Sequence, residues 1–208
     1  ARALHVKHPV MMFASPQLRV VLLTRHVALR AVPSAVTREV LQRTAIIVAK
    51  YLRRAFGVRS PRLAVCGVNP HAGEDGAFGD EECEVVEPAL RALRRRSLRI
   101  DGPLAADGLF AKLYGPSCAT KLPTYDAILC WYHDQGLIPF KLMARDIGCQ
   151  VTLGLPFPRT SPDHGSALDI AGKGIADPGS MRYALHLAMQ LAARSRSLRA
   201  PASKQFQN

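Results

Sequence analysis

"YDAILCWYHDQGLIPFK", residues 125–141, joins an apolar run to a cluster of polar and charged side chains. Residues 125–131 have the composition of a buried strand, and His133, Asp134 and Lys141 follow it. A polar turn after a strand would also explain these residues. In α/β sheets, however, binding residues gather at the carboxyl ends of strands. The stretch therefore predicts a sheet strand that ends in an active site, with His133, Asp134 and Lys141 at its carboxyl edge.

The rest of the chain alternates between strand and helix patterns. Two β-rich runs, 10–15 and 18–24, are separated by two residues and predict a hairpin or a pair of adjacent strands. Further elements are predicted as strands over 62–67 and 150–156, helices over 34–57, 80–96 and 178–195, and a long surface loop over 102–124. This alternation predicts an α/β protein with a largely buried sheet.

Composition narrows the class of protein. The chain has 208 residues, of which 48% are hydrophobic, and its mean hydropathy is +0.02, as in soluble globular proteins. No run approaches the roughly 18 apolar residues of a membrane-spanning helix, so no membrane association is expected. Five cysteines without a CxxC spacing favour a reduced, cytoplasmic setting over a disulfide framework.

The net charge of +12 is concentrated in residues 51–59, residues 91–99 and the C-terminal tail. Solvated helix faces account for such a charge, and attraction to phosphorylated substrates or nucleic acid is the alternative. Nucleic acid is disfavoured because no basic strip is interleaved with aromatic residues.

Three histidines occupy comparable places in the sequence. His26, His71 and His133 each follow an apolar, strand-like run. Converging imidazoles could hold a divalent ion with an open position, as catalytic sites require, although each histidine alone could be a surface residue. Asp134 lies beside one of them and could orient it or transfer protons. Glu74, which follows His71, is interpreted as a turn-former.

Residues 153–178 are rich in glycine, proline and aspartate. Glycine permits close backbone approach, and the polar side chains could bind a ribose or a phosphate. Neither GxGxxG nor a Walker A motif occurs in the chain, which excludes the usual Rossmann and P-loop nucleotide sites.

At this segment the sequence resembles a known family. "HGSALDIAGKGIADP" (164–178) is similar to the adenine-side loop of isocitrate and isopropylmalate dehydrogenases. Closer still are the 4-hydroxythreonine-4-phosphate dehydrogenases of vitamin B6 biosynthesis, whose motif order is matched by "VMMFAS", "TRHVALR", "VCGVNPHAGEDG", "AADGLF", "YHDQGLIPFK", "VTLGLPFPRTSPDHGSALDIAGKG" and "ADPGSM". The resemblance implies a three-layer α/β/α, isopropylmalate-dehydrogenase-like two-lobe fold with an incomplete N-terminal lobe. Residues 1–155 would form the central metal, substrate and dimerisation lobe, and 156–208 the returning part of the cofactor-binding lobe.

The resemblance also implies roles for individual residues. His26, His71 and His133 would bind a divalent metal (Zn, Mg or Co), with His133 contributed across a homodimer interface that contains the active site. Asp107, Asp134 and Lys141 would be catalytic. The substrate would contact Lys141, Gln150 and Arg159, and NAD would contact Leu155, His164, Gly165, Ala167, Asp169 and Asp177.

The implied reaction is NAD-dependent oxidation and decarboxylation of 4-phosphohydroxy-L-threonine to 3-amino-2-oxopropyl phosphate. Four departures from the family pattern keep alternatives open: the family's N-terminal residues, including a substrate-binding His-Thr pair, are absent, Gln150 replaces Asn, Gly108 replaces Thr, and the loop at 115–124 is longer. The alternatives are a relative that oxidises a phosphorylated sugar acid or an aromatic cis-dihydrodiol, an inactive basic fragment, and a three-histidine hydrolase without a nucleotide.

Overall fold

The computed structural model describes residues 6–114, 125–144 and 147–197. Within them, seven strands form one mixed sheet in the order β4-β3-β5-β2-β1-β6-β7. The strands are β1 (Val10–Ala14), β2 (Arg19–Leu22), β3 (Arg62–Cys66), β4 (Arg99–Leu104), β5 (Ala127–Cys130), β6 (Cys149–Leu153) and β7 (Thr160–Pro162). The α-helices are α1 (Val32–Ala35), α2 (Arg38–Tyr51), α3 (Glu87–Arg95), α4 (Ala106–Tyr114), α5 (His133–Ala144) and α6 (Gly179–Ser197).

The centre of the sheet combines a hairpin with a parallel block. β1 and β2 pair antiparallel, with Met12 opposite Val21, which confirms the predicted hairpin. Ser15 fixes the turn between them, because its Oγ accepts a hydrogen bond from the Leu18 amide at 3.0 Å. β2, β5, β3 and β4 run parallel to one another. Their carboxyl ends therefore lie along one edge of the sheet.

Alternate strand residues point to opposite faces of the sheet, and each face is covered by helices. One face packs against α2, α3 and α6, and the other packs against α4 and α5. The neighbouring residues Leu129 and Cys130 show the alternation, since they belong to opposite cores. The predicted α/β class is confirmed, and the described residues form three layers.

Helix α2 begins and ends with the signals that the sequence contains. The Thr37 side chain accepts a hydrogen bond from the Val40 amide at 3.2 Å and caps the first turn. A π-helical turn over Leu52–Phe56 continues the helix, and Gly57 ends it with a φ of 75°. The predicted start at residue 34 is too early, because Val36 between α1 and α2 is extended.

Two helices differ from the sequence prediction. The surface loop predicted over 102–124 is wrong for its first part, where residues complete β4 and form α4; residues 115–124 lie outside the described residues. Helix α5 was not predicted, because it contains Gly136 and Pro139, two residues that normally disfavour helix interiors. Gly136 is needed for packing, since a Cβ there would lie 2.4 Å from Cγ1 of Val20.

The segment after residue 156 joins the same sheet and core. β7 pairs antiparallel with β6, and Leu187 and Leu191 of α6 are buried in the core that contains α2. The division into a lobe over 1–155 and a returning part over 156–208 stays a prediction. Among the described residues, no helix combines the length and apolarity required to cross a membrane.

Candidate active site

Four parallel strands end at one edge of the sheet, and a predicted site residue follows each of them. His26 comes after β2, His71 after β3, Asp107 after β4 and His133 after β5. Parallel neighbours end side by side, so the topology gathers residues that are far apart in the sequence. This carboxyl edge is the candidate active site.

His26 and His133 are neighbours at the edge. A hydrogen bond from the Thr24 amide to the Trp131 carbonyl, at 3.1 Å, continues the pairing of β2 and β5 beyond the strands. The two turns that follow are therefore held side by side. The ring centroids of His26 and His133 lie 5.8 Å apart, with 47° between the ring planes. Imidazoles that share one zinc ion have centroids roughly 5 to 6 Å apart, given the usual Zn–N distances.

The carboxylate of Asp134 determines which nitrogen of His133 carries a proton. Nδ1 of His133 lies 2.7 Å from Oδ1 of Asp134. An ionised carboxylate only accepts hydrogen bonds, so Nδ1 is the donor. In the neutral ring, Nε2 then keeps its lone pair free, as a metal ligand must.

His71 lies in a left-handed turn that follows β3. Residues 71–75 all have positive φ, from 43° at Glu74 to 84° at Gly73, and four of the five are not glycine. Each non-glycine residue in this region costs about 1 to 2 kcal/mol, so neighbouring contacts must stabilise the turn. Glu74 lies inside it, in the position of a turn-former. The His71 ring is exposed, with its centroid 6.2 Å from that of Phe78.

An open cavity of about 520 Å³ connects His71 with the two predicted acids. His71, Asp107 and Asp134 all line it. Gln135 lines it too and joins the ends of β3 and β5: its Nε2 donates to the Gly67 carbonyl at 2.7 Å, and its Oε1 accepts from the Trp131 amide at 2.8 Å. Gln135 could not be recognised from the sequence, because an amide close to a histidine carries no distinctive signal.

The histidines of one chain only partly converge. In residues 6–114, 125–144 and 147–197, no three His, Cys, Asp or Glu side chains are close enough to hold one ion. His26 and His133 meet, and His71 lies apart from them. Two imidazoles at sharing distance, one of them oriented by a carboxylate, nevertheless fit Zn²⁺ and neighbouring divalent ions as part of a ligand set.

Lys141 lies on α5 but not at the edge where the sequence analysis expects it. It lies eight positions after His133 on the helix, which corresponds to about 12 Å along the axis. Its Nζ donates to the Asp163 carbonyl at 2.6 Å and lies 3.6 Å from Oδ2 of the same residue. The side chain of Asp163 is only 6% exposed. The Lys141 ammonium thus compensates a buried carboxylate that the sequence analysis did not single out.

A second cavity, of about 360 Å³, contains part of the predicted cofactor set. Lys141, His164, Ala167 and Asp177 line it. Gly165 and Asp169 belong to the same exposed segment as His164 and Ala167. Leu155 lines a separate cavity of about 720 Å³. The structure therefore brings three of the six predicted residues into one cavity with Lys141.

Gln150 of β6 and Arg159, the residue before β7, lie side by side, as two predicted substrate contacts should. Arg159 Nη1 donates to Oε1 of Gln150 at 3.2 Å and to Oγ1 of Thr152 at 3.0 Å. Ser161 Oγ donates to the same Gln150 oxygen at 2.8 Å. This network fixes one side of an exposed guanidinium, a group suited to binding carboxylate or phosphate.

The buried thiols in the part of the chain that the structure describes form no disulfide, and two of them have raised pKa values. Sγ of Cys66 lies 3.8 Å from Sγ of Cys130, without a disulfide. Burial, together with the Cys66 contact, raises the pKa of Cys130 well above its ordinary value. Burial and the Asp163 carboxylate raise the pKa of Cys149 to about 12. Cys130 and Cys149 therefore remain neutral near neutral pH and are poor nucleophiles.

The family model described as pyridoxal phosphate biosynthetic protein PdxA matches residues 1–188. The chain belongs to the PdxA family. Among curated relatives, the 4-hydroxythreonine-4-phosphate dehydrogenase of Methylorubrum populi is 53% identical over 186 residues, which cover 89% of this chain and 51% of the relative. The corresponding protein of Caulobacter vibrioides is 48% identical, with coverage of 89% and 54%. The PdxA-family chain therefore spans about half the length of the curated relatives it matches.

Solved structures agree with this PdxA assignment. The 4-hydroxythreonine-4-phosphate dehydrogenase of Klebsiella pneumoniae matches with a TM-score of 0.79 and 38% identity, over 92% of this chain and 56% of that one. A terephthalate 1,2-cis-dihydrodiol dehydrogenase from Burkholderia xenovorans matches less well, with a TM-score of 0.67 and 31% identity, over 88% and 55%.

Proposed function

We propose that this chain forms part of a dehydrogenase that oxidises 4-phosphohydroxy-L-threonine with NAD and decarboxylates the product to 3-amino-2-oxopropyl phosphate, for pyridoxal phosphate biosynthesis. The pairing of His26 with His133 at the carboxyl edge is the observation that carries the proposal. The names of relatives about half identical to this chain support the choice of substrate.

The histidines of the carboxyl edge are the proposed metal ligands. His26 and His133 would hold the ion within one chain, and His71 would complete the ligand set. Asp134 keeps the Nδ1 proton of His133 in place so that Nε2 can bind. When bound, a divalent ion supplies Lewis-acid polarisation of substrate oxygens, and NAD accepts the hydride. Zn²⁺, Mg²⁺ and Co²⁺ are the candidates. Asp107 and Asp134 line the adjoining cavity and are the proposed proton carriers.

The cations away from the histidines are proposed to bind the charged groups of the substrate. Arg159, supported by Gln150, offers a planar fork to the phosphate or carboxylate. Lys141 contributes a point charge to the cavity that it lines together with His164, Ala167 and Asp177, the residues proposed to contact NAD. In this arrangement Lys141 orients the substrate next to the nicotinamide.

The proposed enzyme is a cytoplasmic homodimer whose active site lies at the interface. Two of the predicted metal ligands meet within one chain and the third does not. A second copy that supplies the remaining ring would complete the site. Within this arrangement the exchanged ring is His71, whereas the resemblance to the family implies that His133 is the exchanged ring.

The direct test is NADH formation by the purified protein with 4-phosphohydroxy-L-threonine, in the presence of Zn²⁺, Mg²⁺ or Co²⁺. Unphosphorylated 4-hydroxythreonine and a terephthalate cis-dihydrodiol serve as comparison substrates, and His26→Ala is the inactive control. NADH formation that is fastest with the phosphorylated amino acid supports the proposal. Preference for the dihydrodiol, or the same rate in His26→Ala, would overturn it.

A further inference from the structure

The buried carboxylate of Glu82 lies against the loop that carries His71. Glu82 is only 1% exposed, and it stands in the π-helical turn (Glu82–Val86) before α3. Its Oε1 accepts the Val68 amide at 2.6 Å and the Asn69 amide at 2.8 Å. Its Oε2 accepts Nδ2 of Asn69 at 2.9 Å. Three donors from two loop residues therefore satisfy one buried charge, as burial of a charge requires.

The Glu82 carboxylate also packs against the middle of the left-handed turn. A Cβ at Gly73 would lie 2.8 Å from Oε2 of Glu82, so a side chain there would displace the carboxylate or the turn. Glu82 thus contacts the entry of the loop at residues 68 and 69 and its middle at residue 73. His71 lies between these two points, in the strained part of the turn.

We propose that Glu82 is the positioning residue of His71. Glu82 does not line the cavity of about 520 Å³ that His71 lines. Its carboxylate holds the backbone in the conformation that presents the His71 ring at the carboxyl edge. Strained backbone persists only where its surroundings determine it, and here Glu82 supplies those contacts. This inference rests on the proposed metal-binding role of His71 and adds a residue that acts on the metal through the loop.

A double-mutant cycle can distinguish a carboxylate that positions His71 from one that only stabilises the fold. If Glu82 acts through His71, then Glu82→Gln weakens metal binding in the otherwise native protein but has little further effect in His71→Ala. A residue that only stabilises the fold would lower the thermal midpoint without this coupling. Outer residues that orient a ligand typically change metal affinity ten- to a hundredfold when removed.

The experiment measures Zn²⁺ and Co²⁺ dissociation constants of the full chain by competition with a chromophoric chelator, and the metal-free thermal midpoint. The variants are Glu82→Gln, His71→Ala, their combination, and Glu84→Gln, which removes an exposed charge from the same turn. If Glu82→Gln folds poorly, Gly73→Ala provides a second variant, because it perturbs the turn at the residue beside the carboxylate. We expect a tenfold or greater loss of affinity in Glu82→Gln, none in Glu84→Gln, and a double variant close to His71→Ala.

The outcomes separate this inference from the proposed function. Absence of metal binding by the unmodified chain would contradict the proposed metal site and the positioning role together. Metal binding that is equally tight in Glu82→Gln and the unmodified chain, or additive losses in the double variant, would overturn the positioning role alone.

Discussion

Oδ1 of Asp134 lies 2.7 Å from Nδ1 of His133, so one residue of α5 orients the side chain of its neighbour. Both residues stand in the first turn of the helix, directly beyond β5. The helix start therefore presents a histidine with a defined tautomer to the edge where His26 is found.

Replacing Asp134 should weaken metal binding without unfolding the protein. In Asp134→Ala the His133 ring loses its acceptor, and either nitrogen can then carry the proton. We expect the Zn²⁺ dissociation constant to rise by roughly ten- to a hundredfold, with an intermediate effect for Asp134→Asn, which keeps an acceptor oxygen. Chelator competition measures the change, and Glu84→Gln is the control. Unchanged affinity in Asp134→Ala would contradict the orienting role.

Much of the fold could be predicted because apolar patterns marked the elements. The hairpin, β3, β5, β6, α2 and α6 each had a periodic or continuous apolar run bounded by turn or capping residues. Helix α5 was missed because its helical character depends on tertiary packing. Pro139 removes one backbone hydrogen bond, and the helix nevertheless forms because Leu137 and Phe140 are buried against the sheet.

The sequence predicted where the histidines lie along the sheet, but not the distances between them. His26, His71 and His133 each follow a strand, and the parallel order of these strands places them at one edge. Their role as metal ligands stays a prediction. The separation of Lys141 from His133 could not be foreseen without α5. Glu82 and Asp163 were missed because a buried carboxylate has no sequence signature; its burial depends on donors that other segments supply.

Gly136 should be required for the packing of α5 on the sheet. A Cβ there would lie 2.4 Å from Cγ1 of Val20 and 3.1 Å from Sγ of Cys130. Gly136→Ala is expected to lower the free energy of unfolding by about 1 to 3 kcal/mol through overpacking. Gly108→Ala in α4 is the matched control: a Cβ there meets nothing within 4 Å, so it should stabilise by about 0.5 to 1 kcal/mol. Urea unfolding measures both, and equal effects would contradict the packing argument.

Arg159 should bind the substrate through the planar geometry of its guanidinium and not through charge alone. Its contacts with Gln150 and Thr152 orient one side of the guanidinium. Arg159→Lys keeps the charge but loses this geometry. We expect KM for the phosphorylated substrate to rise roughly ten- to a hundredfold, the loss of one charged hydrogen bond, with a smaller change in kcat. Steady-state kinetics tests this, and an unchanged KM would place the substrate elsewhere.

The free energy of unfolding should fall at alkaline pH because of Cys149. Burial raises the pKa of its thiol from 9.0 to about 12 in the folded chain. Between these values the unfolded chain loses the proton while the folded chain retains it, so stability decreases as pH rises. Cys149→Ala should make this decrease shallower. Cys83→Ala should have a smaller effect, because this exposed thiol has a pKa that partial desolvation and nearby carboxylates such as Glu87 also raise. Urea unfolding across this pH range would show identical slopes if Cys149 had no part.

Mixed dimers test whether two copies share the metal site. His71→Ala and His133→Ala are each expected to be inactive, because each removes one proposed ligand. If the two rings belong to different subunits of one site, unfolding and refolding the variants together should restore about a quarter of the activity, since half of the dimers are hybrids and each has one intact site. Bound Zn²⁺ should recover in the same proportion.

A mixture of His26→Ala with His71→Ala then identifies which ring the second subunit supplies. Recovery of activity indicates His71, in line with the 5.8 Å pairing of His26 and His133 within one chain. Absence of recovery indicates His133. If neither mixture regains activity or metal, the site is not shared between subunits.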